Sequence, residues 1–115
     1  MNPYLNSIEV IGNLGKKPTL SYLNSATAVA RLSIAVNEKY IDKLTGKEKE
    51  NTQWFTALVY GALAELACNY LNAGDSVFIR GAMRWRAYLY GDERRETWEI
   101  YADKLIMLSP GKNKP

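Results

Sequence analysis

The stretch "ALAELACNYLNAG", Ala62–Gly74, decides how this chain is read. It is rich in helix formers, places Leu63, Leu66, Ala67, Tyr70 and Leu71 at helical spacing, and carries Gly74 where a helix would end. No other segment has that character. On both sides the pattern changes to period-2 alternation broken by glycine and proline, so one helix sits inside a chain of strands.

Toward the N-terminus, "TQWFTALVYG", Thr52–Gly61, sets Trp54, Thr56, Leu58 and Tyr60 on one face and Phe55, Ala57 and Val59 on the other. Before it lies a charged stretch, Glu38–Asn51, with Lys39, Lys43, Lys47 and Lys49, a Thr45-Gly46 turn, and only Tyr40, Ile41 and Leu44 as hydrophobic residues. It reads as a long hairpin loop, and a loop of that length in a compact domain usually serves function. "ATAVARLSIAVN", Ala26–Asn37, is a second strand, with Ala30, Leu32, Ile34 and Val36 on its apolar face. "SIEVIGNLG", Ser7–Gly15, is a first strand that runs into a turn, after which Pro18 interrupts any regular ladder.

Toward the C-terminus, "DSVFIRGAMRWRAYLY" and "RRETWEIYADKLIML" form two further strands joined by the turn "GDE", and the chain finishes in "SPGKNKP". The order is strand, strand, strand, helix, strand, strand. That fits an all-β OB fold, a five-stranded Greek-key barrel with one helix between strands 3 and 4, whose strand face and loops bind oligonucleotides or oligosaccharides. Residues 1–108 make one domain and 109–115 a short polar tail, with no repeat or internal linker.

Composition limits what this domain does. Its 115 residues, 47% hydrophobic and 23% charged, suit one globular domain that buries roughly two-thirds of its unfolded surface. A single cysteine, Cys68, forms no internal disulfide, and the absence of histidine removes both Cys/His zinc sites and the commonest general base. No metal or other cofactor is expected, and no enzymatic activity. The start "MNPYLNSIEV" lacks a signal-peptide layout and no apolar run reaches the roughly 18 residues of a membrane span, so a soluble, cytosol-like setting is expected. A net charge of +3 with a pI near 9.0 permits an anionic partner.

The sharper signal is "MRWRAYLYG", Met83–Gly91. As a strand it shows Arg84, Arg86, Tyr88 and Tyr90 on one face and Met83, Trp85, Ala87 and Leu89 on the other. Arginine neutralises phosphates and an aromatic ring stacks a base without reading its sequence, so such a face suits single-stranded nucleic acid.

Several segments in order, "IGNLGKKP", "AVARLSIAVN", "WFTALVYGALAELACNYLNAGDSVFIRGAMRWR" and "ADKLIML", resemble the bacterial-type single-stranded DNA-binding proteins over roughly Asn6–Leu108. The resemblance implies an OB fold, usually a homotetramer, that wraps single-stranded DNA with little sequence preference in replication, recombination or repair. It implies stacking residues at Tyr40, Trp54, Tyr60 and Tyr88, and basic contacts at Lys43, Lys49, Arg84 and Arg86, with Lys47 thickening the same loop. A cytoplasmic, nucleoid-associated setting follows from it, with an organellar matrix as the other possibility. Thr56 and Ala62 stand where basic residues are common in the family, which makes the groove less cationic. The acidic, aromatic-ended tip with which many members recruit replication enzymes has no counterpart after Met107, so the chain is either a core fragment or one of a subgroup, such as phage, plasmid, organellar or specialised paralogous proteins, that lack the tip.

Other readings compete. A protein-interaction module resembling primosomal accessory proteins would use the aromatic face for contacts, though aromatics at all four stacking positions argue against it. A single-stranded RNA binder would use the same stacking. Trp85, Phe55 and Phe78 are expected in the core or an interface, and Trp98 either stacks on DNA or packs across from Tyr90. Cys68 reads as a small buried hydrophobe. Gly12, Gly15, Gly61, Gly74 and Gly81 read as turn or bend residues.

Overall fold

Alternation determines which side of each strand turns inward, and the buried set follows it closely. In the computed structural model, which describes residues 3–24 and 26–110, the strands are β1 (Ile8–Leu14), β2 (Thr19–Leu23), β3 (Thr27–Ile41), β4 (Glu48–Tyr60), β5 (Ser76–Tyr90) and β6 (Glu93–Ser109). The helix α1 (Ala62–Tyr70) lies between β4 and β5. The core draws Ala30, Leu32 and Ile34 from β3, Ala57 and Val59 from β4, Val77 and Ile79 from β5, and Ile100 from β6. Each fully buried leucine or isoleucine contributes about 1.5–3 kcal/mol through removal of apolar surface from water.

Strand pairing closes a ring. The order runs β1-β5-β6-β4-β3, and β3 returns to β1 through Asn13↔Ala35 and Leu14↔Ile34. All pairs are antiparallel except β4 with β6, which meet in parallel at Ala57↔Ile100 and Leu58↔Tyr101. This is the five-stranded OB barrel expected from the sequence. β2 is an addition, paired to the outer edge of β3 from Thr19↔Arg31 to Leu23↔Thr27. All five of its residues are exposed, and its Leu20/Tyr22 alternation is too short to stand out beside Pro18, which ends one pairing without preventing the next.

Two further expectations change. The segment Glu38–Asn51 is not a loop: β3 and β4 stay paired to Ile41↔Glu48, and only residues 42–47 turn. A two-stranded ribbon beyond the barrel has solvent on both faces, so its polar sequence gave no strand signal. The helix ends at Tyr70 rather than near Gly74, because Leu71 turns extended and buries its side chain, while Lys17 Nζ donates to the Cys68 carbonyl at 3.0 Å and the Leu71 carbonyl at 3.4 Å. A cation at that end also complements the helix dipole. The inward stripe is Ala64, Ala67 and Leu71, with Leu63 and Cys68 alongside, whereas Leu66 and Tyr70 face out. Two adjacent apolar stripes compete on this helix, and the one with small side chains lets the backbone approach the barrel end.

Gly81 shows a second kind of close approach. A Cβ there would lie 2.1 Å from the Tyr101 carbonyl oxygen, at the point where the β5–β6 register shifts. Among the described residues no helix is long and apolar enough to cross a membrane.

Candidate nucleic-acid interface

The outward faces of β3, β4, β6 and β5 form one continuous surface. Register sets Arg31 opposite Leu58, Ser33 opposite Thr56 and Ala35 opposite Trp54 across β3 and β4. Leu58 then lies beside Tyr101, and β5 adds Arg84 opposite Glu99, Arg86 opposite Thr97 and Tyr88 opposite Arg95. Residues directly opposite on paired strands share a face. The fold therefore collects Trp54, Tyr60, Arg84, Arg86 and Tyr88 on one side of the barrel.

Trp54 is 62% exposed, and its ring lies over the backbone of Gly15, where an added Cβ would fall 2.6 Å from the indole. Gly15 is thus more than a turn residue: it leaves the space in which the indole lies. At the other end of β4, the Tyr60 and Tyr101 rings are tilted at 49° with centroids 5.8 Å apart. Burial, with the Tyr101 hydroxyl beside it, pushes the Tyr60 phenol up to about 12. The Tyr60 ring therefore stays neutral across the physiological range.

Three of the arginines on this face, Arg31, Arg84 and Arg86, are held differently. Arg84 sits over a ring, its Cζ 4.6 Å from the Tyr101 centroid. Arg86 makes two bonds to Glu99, Nε to Oε1 at 2.9 Å and Nη2 to Oε2 at 3.1 Å, and its Cζ lies 5.0 Å from the Tyr88 centroid. Arg31 reaches the same carboxylate, Nη1 to Oε2 at 2.9 Å. The Glu99 side chain is fully buried between two guanidinium groups that are themselves partly exposed. The Arg86 bonds hold the Glu99 carboxyl below its ordinary range, against the burial that would raise it, with Arg31 helping. Two cations share one anion, so the network keeps a surplus positive charge, and the planar guanidinium of Arg86 is fixed in place.

The remaining sequence-derived residues lie on the β3–β4 ribbon. Tyr40 and Lys49 are register partners, and alternation puts them on the opposite side of the ribbon from Trp54. Tyr40 lies five positions along β3 from Ala35, the partner of Trp54, which is about 17 Å along a strand. Lys43 and Lys47 are exposed in the 42–47 turn, which the Asp42 N–H closes by donating to the Lys47 carbonyl at 2.9 Å. Lys49 pairs with Asp42 at 3.0 Å, and the Asp42 carboxyl is held low first by the Leu44 N–H and then by that lysine.

Sequence reasoning missed Arg31, Glu99, Tyr101 and the spacing role of Gly15. Arg31 and Tyr101 were visible as outward-facing positions by alternation, whereas nothing local marks Glu99 as buried. Of the two places expected for Trp85, the core or an interface, the structure excludes the core. It lies opposite the arginine face, but it is 48% exposed and paired with Trp98 across β5 and β6, so it is not a core residue. Phe55 and Phe78 are half-buried.

Comparison with known proteins agrees with this geometry. The model of the single-strand binding protein family matches residues 5–108. A single-stranded DNA-binding protein 1 of Xylella fastidiosa is 34% identical over 105 residues, covering 90% of this chain and 77% of that protein. The solved complex of the Plasmodium falciparum single-strand binding protein with single-stranded DNA superimposes with a TM-score of 0.80 at 32% identity, over 95% of this chain and all of that one. A deletion mutant of the Thermus aquaticus single-stranded DNA-binding protein shares the fold, with a TM-score of 0.78 at 24% identity over 91% of this chain and 51% of that one. With a family match over nearly the whole barrel and a relative above 30% identity, the chain belongs to the single-strand binding protein family.

Proposed function

We propose that this chain binds single-stranded DNA with little sequence preference and protects exposed strands during replication, recombination or repair. The observation that carries the reading is the continuous outer face on which Trp54, Tyr60 and Tyr88 alternate with Arg84 and the Arg31–Glu99–Arg86 network. Rings supply base stacking at about 1–3 kcal/mol per base, and the guanidinium groups displace counterions from phosphates. Tyr40, Lys43, Lys47 and Lys49 extend the path along the β3–β4 ribbon, where long lysine side chains reach phosphates from either side. No step of this function requires catalysis or a cofactor.

We further propose that the chain works as a homotetramer in the cytoplasm, associated with the nucleoid. The supporting feature is an apolar strip farther along the outside of the barrel, where Ile11, Phe78 and Ile106 lie side by side across β1, β5 and β6. An apolar strip of this kind suits self-association.

Titration with oligo(dT) at two salt concentrations tests the reading, using protein whose mass in solution has been measured. Tryptophan emission falls on binding and affinity weakens as salt rises. An absence of quenching at low salt overturns the proposal, and equal competition by a matched RNA oligomer widens it to RNA.

A further inference from the structure

The outer half of β5 and β6 leaves the barrel as a two-stranded arm. Among the described residues β6 pairs with β4 at Ala57↔Ile100 and Leu58↔Tyr101 alone, while β5 and β6 stay paired from there to Tyr90↔Glu93. From Trp98 and Trp85 to the turn at residues 91–92, the arm therefore has solvent on both faces. Its front carries Arg84, Arg86, Tyr88 and Tyr90, and its reverse carries Trp85, Leu89, Arg94 and Trp98.

On the reverse face Trp85 and Trp98 stand directly opposite each other, 48% and 60% exposed. Arg94, register partner of the exposed Leu89, brings its Cζ to 5.8 Å from the Trp85 ring and also pairs with Glu96 on the same face. Neither indole belongs to the core, and leaving two of the largest apolar side chains in water is unfavourable unless something covers them.

We propose that Trp85 and Trp98 form a second base-stacking platform, so that a single strand leaving the front of the arm passes over its edge and stacks on the reverse. The proposal rests on the single-stranded DNA reading of the front face. Continuity supports it: Trp85 lies between Arg84 and Arg86, and Trp98 between Thr97 and Glu99, so the two faces are one residue apart along the same strands. The chemistry supports it too. Two indoles with a guanidinium beside one of them match what unpaired bases and their phosphates require, and stacking on indole is sequence-tolerant. A second copy of the chain is better served by the Ile11–Phe78–Ile106 strip, which is aliphatic and aromatic across three strands, whereas an ion pair interrupts the tryptophan face.

The three tryptophans can be separated by substitution. Trp54→Phe keeps a ring on the front face and leaves Trp85 and Trp98 as the only indole emitters, while the double variant Trp85→Phe/Trp98→Phe leaves Trp54 alone. With oligo(dT), both proteins lose emission, and an oligomer carrying 5-iodouracil photo-cross-links to Trp85 or Trp98, located by peptide mass. Replacing both reverse-face residues with alanine weakens binding of a long oligomer about fivefold or more, with circular dichroism unchanged. If Trp54 emission is quenched while Trp85 and Trp98 neither respond nor cross-link, the second platform is refuted and the front-face reading stands. If no tryptophan responds, both fail. If Trp85 and Trp98 emission instead changes with protein concentration in the absence of DNA, the face is a contact between copies and the proposal is overturned.

Discussion

Glu99→Gln separates stability from binding. In the native protein the Glu99 carboxylate is buried and accepts three bonds, two from Arg86 and one from Arg31. Glutamine keeps the shape but removes the charge and one acceptor oxygen, so one guanidinium loses its best partner. Removing one member of a buried ion pair costs about 3–5 kcal/mol when the other is left dry. Here the arginine side chains are 45% and 42% exposed, and water takes over part of what the carboxylate gave, which reduces the cost to about 1–3 kcal/mol. For a domain of this size that is roughly 4–12 °C in the thermal midpoint. Binding moves the other way. The DNA face loses a negative charge that neutralised one of its cations, so oligo(dT) binds more tightly and the salt slope steepens by about 0.7, the value of one further phosphate on a single strand. Thermal unfolding and a titration at several salt concentrations measure both. A variant that binds more weakly with an unchanged slope refutes the reasoning, and shows instead that Glu99 is needed to hold Arg86 in position for phosphate.

Three further outcomes follow from the same geometry. Gly15→Ala places a methyl 2.6 Å from the Trp54 ring; the exposed indole swings aside, so the emission spectrum shifts and DNA affinity falls while the thermal midpoint holds, and an unchanged spectrum and affinity would contradict the account. Tyr88→Ala removes one stacked base and weakens binding by about 1–3 kcal/mol, five- to 150-fold in Kd, with the fold intact by circular dichroism. Because the folded-state carboxyl of Glu99 titrates below its ordinary value of 4.5, its stabilisation is complete above that value and lost as pH falls through the folded-state value. The stability gap between the native protein and Glu99→Gln is therefore constant at neutral pH and closes in acid; a gap that persists to pH 2 would place the stabilisation elsewhere.

The barrel was legible because alternation is strict where one strand face is buried. Leu32 and Ile34 on β3, Val77 and Ile79 on β5, and the single helix gave the order, and the order gave the fold. β2 and the β3–β4 ribbon were not legible: β2 is too short for its Leu20/Tyr22 alternation to stand out, and the ribbon, with water on both sides, has no apolar period to read. Within the candidate site, parity alone put Trp54 with Tyr60 on one face of β4, and Arg84, Arg86 and Tyr88 on one face of β5; the strand pairing is what joins the two. What parity cannot supply is the distance between strands far apart in sequence. Arg31 and Glu99 are separated by 68 residues, and only closure of the barrel turns two unremarkable charges into a buried network. Gly15 and Trp54 meet for the same reason. Trp85 shows the converse limit: it was correctly placed opposite the arginine face, but the inward side of a strand is core only while the strand remains in the barrel, and β5 has left it by that residue.

A structure of the chain with oligo(dT) bound tests the central claim most directly. The account predicts bases stacked on Trp54 and Tyr88, with phosphates within hydrogen-bond distance of Arg84 and Arg86. A strand lying across the Ile11–Phe78–Ile106 surface, with the Trp54 and Tyr88 rings bare, would contradict it.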